Sequence, residues 1–234
     1  MERSQPTFPA RHELKFFINR GDLNALAARL ERVLWRDAHA GPDGEYFIRS
    51  VYFDDRANSA YYEKLEGGPA RDKYRIRIYG LNEKQIYLER KRKLGELIAK
   101  DSVHITRRLA EQILSGNPNR LELSKAPLLH DLFLEMRTNL LRPVVRVDYY
   151  REAFTFPVSH TRVTFDKRLS TGPFPAGLFD LSPGIMALDD EREILEVKYD
   201  QILPDVVRLL LAGVPAERSA ISKYVLCRRF DLMK

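Results

Sequence analysis

"DKYRIRIYG", residues 72–80, alternates with a period of two. As a strand it sets Lys73, Arg75, Arg77 and Tyr79 on one face and Tyr74, Ile76 and Ile78 on the other. A solvated strand face ordinarily mixes charge signs or uses Thr and Ser. This one carries three cations at roughly 7 Å intervals with no carboxylate between them. Like charges on one face repel, so the row calls for an anion from beyond its own strand.

The excess of positive charge is local. Residues 64–100 hold 11 Lys/Arg against 5 Asp/Glu, a surplus of six that equals the formal net charge of +6 for all 234 residues. A pI near 9.4 suits an anionic partner: nucleic acid, a phosphate compound or a membrane surface. Hydrophobic residues make up 44% of the sequence, enough for a core. The single cysteine, Cys227, excludes an internal disulfide and a cysteine-rich zinc site. "MERSQPTFPARHELK" at the N-terminus lacks the apolar run of a signal peptide, and no stretch approaches the ~20 apolar residues of a membrane helix. The expectation is one domain over 1–234 in a soluble, cytoplasmic protein.

Strands are expected at 13–18, 46–54, 72–79, 86–93, 97–104, 144–151, 161–168 and 192–199. Helices are expected after Asp22, over 58–66, from Thr106 to Gly116, from Ser124 to Leu141, over 204–212 and over about 217–230. The Pro- and Gly-containing stretch 170–190 reads as a loop. The pattern predicts an α+β domain around an antiparallel sheet or barrel of about eight strands with flanking helices. A glycine-rich strand–helix junction is missing, which excludes a Walker loop and a dinucleotide fingerprint.

The polar faces of the other strands repeat the pattern of 72–80. Arg11, Glu13 and Lys15 share a face, as do Ser50, Tyr52 and Asp54; Tyr87, Glu89, Lys91 and Lys93; Tyr149 and Arg151; Arg162, Thr164 and Asp166; and Glu196 and Lys198. Glu-x-Lys occurs at 13/15, 89/91 and 196/198. A sheet with one face in water explains any one strand. Taken jointly, repeated Arg and tyrosine hydroxyls favour a closed or strongly curved sheet, apolar outside under helices and charged inside a wet tunnel. Several guanidinium and ammonium groups around one cavity match the oxygens of a phosphate chain.

"RHELK", "VYFD", "KYRIRIYG", "LERKRK", "YYREAF", "VTFD", "ILEVKY" and "SKY" occur in the order found in the catalytic domain of the vacuolar transporter chaperone (VTC) polyphosphate polymerases. The chain resembles that family, part of the triphosphate tunnel metalloenzymes or CYTH-like superfamily, over about 11–230. The resemblance implies a tunnel barrel. It implies phosphate-binding bases at Lys15, Lys64, Arg75, Arg77, Lys91, Lys100, Arg151 and Arg162, with Lys198 beside them. Arg75, Arg77, Lys91, Arg151 and Arg162 would hold the reacting phosphates in line. Tyr149 would donate its hydroxyl, Ser222 and Lys223 would close one tunnel end, and Glu196, helped by Glu13, would hold Mn²⁺ or Mg²⁺.

Two positions depart from the pattern. Hydrolases of the superfamily carry Glu-x-Glu-x-Lys on the first strand, where this chain has Arg11-x-Glu13-x-Lys15; and Ala220 stands where the polymerases carry Lys. The implied activity is transfer of the γ-phosphoryl group of a nucleoside triphosphate to a polyphosphate chain. The alternatives are a triphosphate or polyphosphate hydrolase in the same tunnel, or a non-catalytic module binding polyphosphate or nucleic acid. Nucleic acid is not the expected partner, because the basic residues lie on strands and no helix is strongly basic. A separate membrane partner would receive the polymer.

Overall fold

A computed structural model describes residues 11–67, 70–94, 97–119, 121–122, 124–172, 178–188 and 192–232. In chain order the elements are β1 (Arg11–Asn19), α1 (Arg20–Leu30), β2 (Trp35–Arg36), β3 (Glu45–Asp54), α2 (Ser59–Glu66), β4 (Ala70–Tyr79), β5 (Ile86–Leu94) and β6 (Leu97–His104). They continue as α3 (Arg107–Leu114), α4 (Pro127–Thr138), β7 (Arg142–Phe156), β8 (Thr161–Gly172), β9 (Ile185–Met186), β10 (Arg192–Asp200), α5 (Asp205–Leu211), β11 (Glu217–Arg218) and α6 (Lys223–Leu232). Among the described residues the eight long strands match the expected count, and β2, β9 and β11 add two residues each.

All strands join one antiparallel sheet in the order β11-β1-β10-β8-β7-β3-β4-β5-β6, with β2 beside β7 and β9 beside β8. The path does not close by backbone hydrogen bonds: β6 ends it on one side and β11 on the other. Curvature nevertheless brings the two ends together. Lys91 on β5 donates to Glu13 on β1 over 2.8 Å, although five strands separate them in sheet order.

The alternation read from sequence decides what lies inside and outside. Val51, Tyr74, Ile76, Ile78, Ile86 and Leu88 point outward and pack beneath Ala110 and Ile113 of α3 and Leu128, Leu132 and Met136 of α4. A second outer cluster sets Ile18, Phe154, Val163, Phe165, Leu195 and Val197 against Leu23, Leu26 and Leu30 of α1 and Val207 of α5. Burying one such aliphatic side chain contributes about 1.5–3 kcal/mol. The third cluster lies on the other face. Ile48, Val145, Val147, Tyr149 and Ile194 alternate in step with Ser50, Arg151 and Glu196, and they pack against Ile221, Tyr224 and Cys227. The start of α6 therefore seals part of the interior with apolar side chains.

Several boundaries differ from expectation. Asn19, not Asp22, caps α1: its Oδ1 accepts from the Asp22 amide at 2.8 Å. α4 starts at Pro127 rather than Ser124, because proline's fixed φ suits a first helical position. Residues 217–222 are not helical. β11 pairs with Phe16 and Phe17, and the Ser219 amide donates to the Lys15 carbonyl at 3.0 Å. Thr106 caps α3, and Gly67, at φ 79, ends α2 as the sequence predicts.

Candidate functional site: a cationic tunnel

The inward faces enclose a cavity of about 1230 Å³. All fourteen nominated residues line it: Glu13, Lys15, Lys64, Arg75, Arg77, Lys91, Lys100, Tyr149, Arg151, Arg162, Glu196, Lys198, Ser222 and Lys223. Arg11, Lys73 and Arg218 also line it, so that thirteen Lys/Arg face three glutamates, Glu13, Glu89 and Glu196, among the described residues.

The opening row of cations is not left without carboxylates. Antiparallel register places Glu89 of β5 directly opposite Arg75. Arg75 reaches Glu89 Oε2 through Nε (2.7 Å) and Nη2 (2.6 Å), and its Nη1 donates to the Tyr52 hydroxyl at 2.7 Å. Glu89 also takes Lys100 Nζ at 2.5 Å and stands 3.8 Å from Arg77. Burial opposes its charge, but Arg75, Arg77 and Lys100 hold its carboxyl far below the usual range. Arg77, 5% exposed, donates to Ser50 Oγ and to the Tyr149 hydroxyl, each at 3.0 Å. Tyr149 thus already accepts from an arginine; its own proton remains available for a ligand oxygen.

A second buried carboxylate orders the next strands. Asp166, fully buried, accepts both arms of the Arg151 fork at 2.6 and 2.8 Å and lies 2.5 Å from Lys223 Nζ. Lys223 also sits over the Tyr149 ring at 5.2 Å. Burial works against the charge on Asp166, yet Arg151 and Lys223 pull its carboxyl down to about 2. Neither Glu89 nor Asp166 was nominated from sequence. Their alternation was visible, but the register that places them against Arg75 and Arg151 was not.

The third group joins β1 and β10. Glu13 lies 2.8 Å from both Lys15 and Lys91, and Glu196 lies 2.9 Å from Lys198 and 3.7 Å from Arg151. The two carboxyls come within hydrogen-bond reach of each other. Burial disfavours charge on Glu196, but Lys198, Lys15, its bond with Glu13 and Lys223 hold it well below the ordinary carboxyl value. Among the described residues no set of three or more His, Cys, Asp or Glu is grouped to hold a metal.

The departures from pattern also have places. Arg11 pairs with Asp200 at 3.1 Å at one margin of the cavity, and Ala220 lines the wall beside Ser219 and Ile221. No helix among the described residues is long and apolar enough to cross a membrane.

An inward-charged, outward-apolar antiparallel sheet of this kind fits the tunnel-like α+β fold that the sequence predicts. The chain is similar in fold to the PH1819 protein of Pyrococcus horikoshii, at 13% identity and a TM-score of 0.50 over 94% of this chain and 99% of that one. It is equally similar to a Bacillus halodurans protein provisionally described as an adenylate cyclase, at 13% identity and a TM-score of 0.50 over 87% and 86%. The PH1012 protein of P. horikoshii matches at 13% and 0.50 over 93% and 99%. No curated protein matches the sequence. The family model described as the VTC domain matches residues 10–230. The chain belongs to the VTC domain family.

Proposed function

We propose that this protein is a polyphosphate polymerase that transfers the γ-phosphoryl group of a nucleoside triphosphate to the end of a phosphate chain held in the tunnel. The observation that carries the reading is the convergence of thirteen cations on one cavity against the glutamates Glu13, Glu89 and Glu196 and the aspartates Asp37, Asp166 and Asp200 that pair with them from the wall, a surplus of positive charge suited to a polyanion. Phosphoryl transfer is chiefly positioning and charge neutralisation, and it needs no nucleophilic side chain of the protein.

Arg75, Arg77 and Arg151 are held by Glu89, Ser50, Tyr149 and Asp166 before substrate arrives, so little reorganisation is required of them. Lys15, Lys91, Lys198 and Arg162 add charge farther along the wall. The nucleophile is the terminal oxygen of the phosphate chain. It bonds to the γ-phosphorus while the β–γ bridging oxygen leaves with the nucleoside diphosphate. The paired carboxyls of Glu13 and Glu196 fit a hard divalent cation, which binds protein through one or two carboxylates and completes its shell with phosphate oxygens and water. Mn²⁺ or Mg²⁺ bound there would neutralise charge developing on the phosphate oxygens.

Incubation with ATP and Mn²⁺, followed by sizing of the phosphate product, tests the reading. Long-chain polymer supports it. Free phosphate alone replaces it with a hydrolase, and no turnover with intact tripolyphosphate binding replaces it with a binding module. Glu196→Gln keeps the side chain's shape and loses the charge a divalent ion requires. It is expected to abolish metal-dependent turnover while tripolyphosphate still binds. Turnover within about twofold of wild type, a difference of only about 0.4 kcal/mol, removes Glu196 from this role.

A further inference from the structure

The wall at one end of the tunnel differs in chemistry from the rest. Trp35 lines it together with Phe156, Pro157 and His160, whereas Lys64 of α2, Lys73 of β4 and Lys100 of β6 line the other side. Trp35 is 67% exposed. A lone exposed tryptophan on a protein surface needs no explanation. This one has a defined position relative to the cations. β2 pairs Trp35 with Thr155, Thr155 pairs with Arg162, Arg162 with Lys198, and Lys198 with Glu13. The five residues form one in-register row across the inner wall, with Trp35 and Arg162 roughly 10 Å apart by strand spacing.

The backbone at Trp35 and the side chain of Arg162 are both anchored. Arg36, next to Trp35, donates to Glu31 and Glu152 at 2.7 Å each, and its guanidinium lies over the Phe154 ring at 5.1 Å. Arg162 donates to Asp37 and to the Tyr46 hydroxyl, and its Nε is buried without a hydrogen-bond partner. The pairing of β2 therefore places an exposed aromatic residue beside a partly exposed guanidinium, at the open margin of the cavity. A ligand with a ring at one end and phosphates at the other matches that order; an inorganic phosphate chain offers nothing to the ring.

We propose that Trp35 is a stacking platform for the nucleobase, which fixes the tunnel's donor substrate as a nucleotide and orients it with its base at the Trp35 end. The inference rests on the polymerase reading for its phosphate site. Stacking is tolerant of base identity, since every base has a π-face, so the platform selects nucleotides over inorganic triphosphate without selecting among bases.

Trp35 is the sole tryptophan of the sequence, so intrinsic fluorescence reports on it alone. ATP is expected to quench that emission in a saturable manner, and tripolyphosphate is expected to bind by calorimetry with little quenching. Trp35→Ala should weaken ATP binding about tenfold and leave tripolyphosphate affinity within about twofold, with Trp35→Phe between the two. Equal quenching by both ligands, or equal weakening of both in Trp35→Ala, overturns the platform while the phosphate site stands. Failure of the wild type to bind tripolyphosphate at all overturns both readings.

Discussion

At the residue scale, the tunnel depends on a few buried carboxylates that hold many cations. Glu89 is the clearest case, with Arg75, Arg77 and Lys100 around it and 2% exposure. Glu89→Gln leaves those cations without their shared anion and is expected to destabilise the ligand-free protein by about 3–5 kcal/mol, as breaking a buried ion pair does. Tripolyphosphate can supply the missing charge, so thermal melts should show a larger ligand-induced rise for the variant than for wild type. An equal rise in both would mean that ligand charge does not reach this group. Lys91 gives a pH test. Burial and the nearby Lys15 and Lys198 bring its ammonium down to about 8, against Glu13 and Glu196. Its folded value lies below its unfolded one. Unfolding therefore takes up a proton between about pH 8 and the ordinary lysine range near 10.4, and this contribution to stability grows as pH rises through that window. Ligand binding has the opposite slope, because the anion requires the ammonium. Tripolyphosphate affinity should fall as pH rises through about 8, with proton uptake on binding just above that value. Calorimetry in buffers of differing ionisation enthalpy measures the uptake, and Lys91→Arg should abolish it. Undiminished uptake in that variant assigns the proton to another group.

At the element scale, the segment between β11 and α6 offers the most direct test. Ala220 lines the cavity there without contributing charge. Ala220→Lys adds a cation to the wall and is expected to tighten tripolyphosphate binding by about 0.5–1 kcal/mol while lowering the melting temperature of the ligand-free protein. Unchanged affinity in a titration would place this position away from the path of the phosphates. This segment was also among those the sequence represented poorly. The inward faces of β1, β4, β5, β8 and β10 could be read from alternation alone, because a strand's own pattern declares its two sides. The partners of those faces could not, because register is a property of two strands: Glu89 against Arg75 and Asp166 against Arg151 appear only once the ladders are aligned. β2 and β11 have two residues each, too few for any period, so alternation does not mark Trp35 and Arg218 although both line the site. The helical reading of 217–222 failed because tertiary pairing with β1 outweighed local propensity.

At the scale of the whole molecule, the positive charge is concentrated inside, where thirteen cations line one cavity and outnumber the glutamates and aspartates paired with them. Self-repulsion of that kind costs stability until an anion is present. At a hundredfold excess over its Kd, tripolyphosphate should stabilise the protein by about 2.7 kcal/mol, and its affinity should decline as salt screens the wall. Double-stranded DNA should compete weakly, because the charge lies on the concave side of the sheet rather than on a protruding helix. Displacement of bound tripolyphosphate by duplex at comparable phosphate concentration would place the working cations outside the tunnel.

The meeting of Lys91 and Glu13 has a mechanical consequence. Elsewhere around the circumference, neighbouring strands are stitched at about 4.8 Å by backbone hydrogen bonds and cannot part without breaking them. Between β5 and β1 the link is a pair of side chains 2.8 Å apart, and long side chains can lengthen or let go while every ladder stays intact. The bore thus resembles a cuff with a clasp rather than a rigid pipe, and the clasp is made of two groups that line the cavity. Whatever grips Lys91 or Glu13 from within also loosens that part of the cuff, so girth and occupancy are tied to each other there.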